Sequence, residues 1–273
     1  MCNPDLVIAS YVCMNIFMKK ILITSGCSFS ECISTYVDTW PRHLARLLPN
    51  YEHKSYAMGS QGNGLISRGI IYSVVEALKT YKPEDILVGV MWSGSDRHDF
   101  RCHDNHELYF VQAKIHGGWI ENPTQFVNNA NKNWAILNVN WAGDEGNIEA
   151  ETYYKMFHDS IGHSIYSIEH ILRVQYFLQK HKIKYFFSDF SDNNIVLGGH
   201  INHPEINYLY NLIEKEYYLP VTSEHRWCYE NSKHHDLWPQ GWEKMHWIHP
   251  KTEMHKEFVD RVIVPWLHEK KYI

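Results

Sequence analysis

The chain has 273 residues, 44% apolar and 21% charged, a composition that suits one folded domain with a generous core and excludes a disordered chain. A formal charge of −5 leaves no broad basic surface for phosphate backbones or anionic lipid, so nucleic acid is not an expected partner. No apolar run reaches the roughly 18 to 20 residues of a membrane span, and six scattered cysteines without a Cys-x-x-Cys pair fit a reducing, cytoplasmic compartment.

Leu6 to Met18 is mostly apolar, yet no basic residue precedes it and no small-residue cleavage site follows, so it reads poorly as a secretory signal. Met18-Lys19-Lys20 stands directly before the first predicted strand. Residues 1–17 are therefore expected to be an extension outside the fold, and residues 18–273 a single domain.

Lys20 to Ser25 is a short, β-branched apolar run that ends at Gly26, the pattern of a buried strand stopping at a turn. A helix is predicted from Thr39, which can cap it, with Pro41 in the first turn and Leu44, Leu47 and Leu48 on the inner face, ending at Pro49. A second strand follows over Glu52 to Ala57. A Gly-rich loop, Gly59 to Gly64, then leads into a helix carrying Leu65, Ile66, Ile70, Val74 and Leu78. Asp85 to Trp92 is the clearest strand in the chain.

From about Arg101 to Asn147 the sequence turns to Asn, Gly, Trp and His without a sustained period, which predicts an insertion or lid over about 101–150. Thr152 to Lys180 returns to helical spacing through Phe157, Ile161, Ile165, Ile168, Leu172, Tyr176 and Phe177. Ile183 to Ser188 reads as a fourth strand and Glu205 to Tyr217 as a helix. Leu219 to Trp247 reads as irregular, and Pro250 to Leu267 as a last helix with Phe258, Val259, Val262, Ile263 and Trp266 inward. Strands alternating with helices imply a parallel sheet covered on both faces, with ligands at the carboxyl ends of its strands. The loops at Gly26–Ser30, Gly59–Gly64 and Trp92–Asp99 should share that edge.

Gly26-Cys27-Ser28-Phe29-Ser30 follows the first strand and would lift Ser28 to the sheet edge with its N–H facing a ligand. A serine there is a nucleophile once a base takes its proton; otherwise it shapes a turn. Far along the chain, His246-Trp247-Ile248-His249-Pro250 places imidazoles on a loop before the final helix. Chain order can bring that loop beside the first, making His249 the candidate base.

These blocks resemble the SGNH (GDSL-type) hydrolase family, over roughly Lys20 to Leu267. The family's first block is Gly-Asp-Ser after the first strand, matched by Gly26 and Ser28 with Cys27 in place of Asp. Its second block supplies a glycine N–H to the oxyanion hole; here Gly59-Ser60-Gln61-Gly62-Asn63 matches in position, with Gly59 and Gly62 both open as the donor. The third block, usually Gly-x-Asn-Asp, falls at Met91-Trp92-Ser93-Gly94, where Ser93 replaces the family's Asn. Trp92-Ser93 followed by Arg97 looks like a divergent branch whose block reads Trp-Ser-x-x-x-Arg. His249-Pro250 matches the last block, but the family's Asp falls on His246.

The resemblance implies a three-layer α/β/α sandwich with a mainly parallel, flavodoxin-like sheet, and a serine esterase acting on a small-acyl ester, for example an O-acetyl ester, of a small molecule or carbohydrate. It implies no cofactor. Ser28 would be nucleophile and His249 base, with His246 accepting a hydrogen bond from His249 without supplying negative charge. Asp236, Glu243 or a backbone carbonyl are the other groups for that role. Asn63 and Ser93 would add side-chain donors to the oxyanion site.

Two other readings fit the residues. His234, His235, His246, His249 and His255 crowd one region, which suggests a metal site, although no Cys pair or His-Glu-x-x-His helix completes one. The altered blocks and the Trp- and Asn-rich insert also suit a module that binds carbohydrate or protein without turnover. In either case Arg68, Arg97 and Arg101 are the basic residues near the predicted strand ends that would hold an anionic group. The sequence assigns no oligomeric state.

Overall fold

A computed structural model describes residues 20–31, 37–101, 134–137, 148–191, 200, 202–234 and 249–273. In chain order its elements begin with β1 (Lys20–Ser25), α1 (Trp40–Leu47), β2 (Tyr51–Ser55), α2 (Asn63–Ala77), β3 (Ile86–Trp92), β4 (His98–Arg101) and β5 (Trp134–Leu137). There follow α3 (Ile148–Met156), α4 (Ser160–Lys180), β6 (Lys184–Asp189), α5 (Pro204–Tyr210), α6 (Glu224–Asn231) and α7 (Thr252–Phe258). A π turn (Val259–Ile263) joins α7 to α8 (Val264–Glu269).

Four strands form one parallel sheet in the order β2-β1-β3-β6, flanked by helices on both faces. Successive side chains of a strand point to opposite faces, so a strand covered on both sides must be apolar throughout. In β3 all seven residues are buried. Ile21, Ile23, Val88, Val90 and Phe187 meet α2 and α4 on one face, while Leu22, Leu87, Met91 and Phe186 meet α1, α7 and α8 on the other. The fold class is thus α/β, with a layer of helices on each side of the sheet. Beyond β6, a single parallel bridge from Phe187 to Tyr218 extends it. A separate antiparallel pair, β4 with β5, lies within the stretch predicted as an insertion. Among the described residues no helix is long and apolar enough to cross a membrane.

Several predicted elements are shorter or differently divided. In α1, Leu44 and Leu48 are buried but Leu47 is 50% exposed, because the helix ends there and only the i, i+4 pair reaches the sheet. Thr39 stands at the N-cap, yet its hydroxyl donates to the Glu31 carbonyl instead of capping the helix. The predicted helix over 152–180 is two helices: Asp159 accepts from the Gly162 N–H and starts α4 afresh, which leaves Phe157 and Tyr176 exposed. The helix predicted over 205–217 ends at Tyr210, with only a 3₁₀ turn at Lys215–Tyr217. Within the stretch read as irregular, α6 forms behind its cap Ser223. Its buried residues are Glu224, His225 and Cys228, so it shows no apolar stripe in the sequence. The π turn immediately precedes Pro265, whose ring and missing N–H cannot continue regular α pairing.

Three histidines titrate far from their ordinary range because burial disfavours the charged ring: the pKa values of His53, His163 and His170 are lowered to about 4. His53 also bonds Thr24 through Nε2, at 2.9 Å. Depressed values mean that these rings stabilise the fold above pH 6.5 and lose that contribution as pH falls through 4. Thermal unfolding should therefore show the melting temperature dropping between pH 6.5 and 4. A His170→Gln variant should flatten the drop by about 1–3 kcal/mol, the worth of a two-unit shift reduced for solvent screening. An unchanged acid profile in that variant would remove His170 from the account.

Candidate functional site

Every residue from Ile21 to Glu31 is buried except Ser28. The turn that presents it is held from within: the Ser30 N–H donates to the Cys27 carbonyl at 2.9 Å, and the buried Ser30 hydroxyl accepts from Trp40 Nε1 at 2.8 Å. Gly26 is required by close approach. A β-carbon there would run into the Ser30 hydroxyl and stand 2.9 Å from the Met91 carbonyl oxygen. Gly26→Ala should accordingly destabilise the protein by about 1–3 kcal/mol in chemical denaturation, the usual cost of overpacking; a neutral result would mean that the turn yields easily.

Across 221 positions of sequence, His249 places Nε2 at 2.6 Å from the Ser28 hydroxyl oxygen. No family model matches the chain, and no curated protein matches it either. The meaning of the pair therefore rests on its geometry.

For Nε2 to accept the serine proton, Nδ1 must carry the ring's own hydrogen. Nδ1 has no hydrogen-bond partner among the described residues, while His246, Asp236 and Glu243, the groups expected to face it, lie outside them. Packing orients the ring instead: its centroid lies 4.6 Å from that of Phe29, with the planes tilted by 35°. Phe29 is only 3% exposed and is itself wedged between Phe190 at 5.1 Å and His225 at 5.9 Å. The crowd of protein atoms around the imidazole lowers the His249 pKa to about 4, with His255, Arg97 and His225 pushing the same way. Because the residue keeps an edge open to water, solvent screens part of this effect. His249 is thus a neutral base at physiological pH.

The Gly-rich loop is laid along the serine turn. The Met58 N–H donates to the Gly26 carbonyl at 3.2 Å, and Gln61 Nε2 reaches Gly26 and Ser25 at 3.4 Å each. Ser60 holds a left-handed backbone, φ 59°, which costs a non-glycine residue energy and marks a loop constrained by its surroundings. Both expected glycine donors are engaged. The Gly59 N–H donates to the Glu31 carboxyl, and the Gly62 N–H donates to Asp99 Oδ1 at 3.0 Å. Asp99 also accepts from the Leu65 N–H at 2.9 Å and so caps α2, where the helix dipole favours negative charge.

Asn63 is engaged at both ends of its amide. Oδ1 accepts from the Ser93 N–H at 2.8 Å and Nδ2 donates to the Ser93 carbonyl at 2.9 Å, which clamps the start of α2 to the end of β3. The Ser93 hydroxyl is buried without a partner among the described residues. Arg97 reaches the Gln61 carbonyl at 3.4 Å and lies over the Phe190 ring at 5.2 Å. Of the expected residues, then, Ser28 and His249 meet, Gly59, Gly62, Asn63, Ser93 and Arg97 line the adjoining loops, and His246 is not described.

Sequence reasoning overlooked Phe29, Glu31, Asp99 and the pair Glu224–His255. Glu31 carried a usable signal, a carboxylate three residues after the serine in a turn otherwise built of small and apolar residues. For Asp99 there was none, since no spacing rule ties it to Gly62. His255 Nδ1 meets Glu224 Oε1 at 2.7 Å with both side chains fully buried, joining α7 to α6 behind His249. Burial raises the Glu224 pKa, opposed by its histidine.

Next to Arg97 opens a cavity of about 240 Å³, lined by Asn63, His98, Asp99, His163 and His170 among others. A larger cleft of about 600 Å³ between Tyr210, Lys215, Tyr218 and Trp266 includes neither Ser28 nor His249 in its walls. Among the described residues no three His, Cys, Asp or Glu side chains converge as metal ligands. His235 and His246, two of the histidines singled out for that role, lie outside those residues, and His255 is held by Glu224.

Proposed function

We propose that the chain is a serine ester hydrolase, a divergent member of the SGNH family that uses a Ser28–His249 dyad on a small-acyl ester of a polar alcohol. The 2.6 Å approach of His249 Nε2 to the Ser28 hydroxyl carries this reading. A neutral imidazole at that distance takes the hydroxyl proton as the oxygen attacks the ester carbonyl. The new C–O bond forms while the carbonyl electron pair moves onto its oxygen. When the tetrahedral intermediate collapses, the bond to the alcohol breaks and His249 returns the proton to the leaving oxygen. Water then repeats the sequence on the acyl-serine and frees the acid. These steps use side chains, backbone donors and water alone.

The polar lining of the cavity beside Arg97, with imidazoles held neutral by burial, supports a hydroxyl-rich alcohol such as a sugar. A pKa of about 4 makes His249 a weak base and supports a modest rate. The decisive test is covalent: a fluorophosphonate probe should label the protein once, and peptide mass analysis should place the label on Ser28. An unlabelled protein would support the other reading, a binding module without turnover. The engagement of both glycine N–H groups by carboxyls favours that second reading.

A further inference from the structure

We propose that Glu31 is a proton-operated gate on the oxyanion site: as a carboxylate it claims the Gly59 N–H, and on taking a proton it yields that donor to the substrate. The inference rests on the hydrolase reading and concerns the regulation of the same site.

Three observations carry it. Glu31 belongs to the nucleophile's own turn, its N–H facing the Ser28 carbonyl at 3.4 Å, and it is only 6% exposed. Its carboxyl bonds the Gly59 N–H, one residue beyond the Met58 N–H that is tied to Gly26, so this donor lies against the serine turn. No cation neutralises it. The ionisable groups on the elements packed around it are Cys27 on the turn, Asp38, Arg42 and His43 at the start of α1, and His249 and His255 at and beyond the last loop. Asp38 is taken up by Arg42 at 3.0 Å and Arg46 at 2.7 Å. Burial raises the Glu31 pKa to about 7, opposed only by the Gly59 N–H.

The chemistry follows from charge. A developing oxyanion needs backbone N–H groups aimed at it, and the loss of one donor typically slows acyl transfer by about 10²- to 10³-fold. A carboxylate bonded to that N–H both occupies it and repels the oxyanion. A neutral carboxyl is a weaker acceptor and exerts no such repulsion, so the substrate oxygen displaces it. Glu31 acts through Gly59 and is a positioning residue.

The rate of Ser28 labelling by a fluorophosphonate, whose phosphoryl oxygen enters the same site, should be measured from pH 4 to 9 on the full chain. In the wild type it should rise through about pH 4 as His249 loses its proton, and fall about tenfold per unit above 7 as Glu31 ionises. Glu31→Gln, neutral at every pH, should hold its plateau to pH 9 and there exceed the wild type by about 100-fold. A wild-type rate that stays level from pH 5 to 9, or a Glu31→Gln rate that falls as the wild type does, overturns the gate and leaves the hydrolase reading standing. No labelling at any pH overturns both. If Glu31→Gln does not fold, the wild-type profile decides by itself.

Discussion

His249→Ala should lower kcat for hydrolysis of an activated acetyl ester by about 10³- to 10⁴-fold, a loss of about 4 to 5.5 kcal/mol of transition-state stabilisation. Ser28→Ala should fall to a similar floor, and the double variant should lose little more. Residues acting as one unit are not additive, since neither retains its role without the other. KM should change far less than kcat, because the imidazole accepts a proton in the transition state and does not bind the resting ester. The single geometric premise is the 2.6 Å contact between Nε2 and the hydroxyl. Variants that both retain half the wild-type turnover would place the chemistry elsewhere in the molecule.

Phe29→Ala should cost about 3–5 kcal/mol of stability, because a nearly fully buried ring leaves a cavity among neighbours that cannot collapse into it. For a chain of this size that corresponds to a melting temperature lower by about 6 to 20 °C. Its effect on the site separates from its effect on the fold through Phe29→Leu, which keeps most of the buried volume and removes the ring face. Aromatic contact is worth about 0.5–1.5 kcal/mol, so this variant should keep its melting temperature within a few degrees while kcat falls about three- to tenfold. KM should be unmoved. Unchanged turnover in Phe29→Leu would show that something other than the 4.6 Å ring contact orients His249.

The order of strands and helices was legible in the residues, because each sheet strand is an unbroken apolar run closed by a turn residue. Lys20–Ser25 appears with its expected bounds, and the strand expected over Asp85–Trp92 spans Ile86–Trp92. Such runs report burial on both faces, a local requirement that any parallel strand must meet. Helices whose contacts are polar escaped the same reasoning. In α6 the buried positions are Glu224, His225 and Cys228, which a hydrophobic period does not register, and the break at Asp159 depended on one side chain turning back to Gly162. The expectations that fall on residues 1–19, 102–133, 138–147 and 235–248 lie outside the described residues.

From the sequence alone came the pairing of a serine after the first strand with a histidine before the last helix, because both stand at ends of recognisable elements. Tertiary structure alone decided which partners the loops between them take. Glu31 on Gly59, Asp99 on Gly62 and Phe29 against His249 are contacts of shape and charge between segments that no periodic pattern relates. Periodicity records which side of an element is dry, whereas a hydrogen bond across a sheet edge depends on where several loops come to rest together.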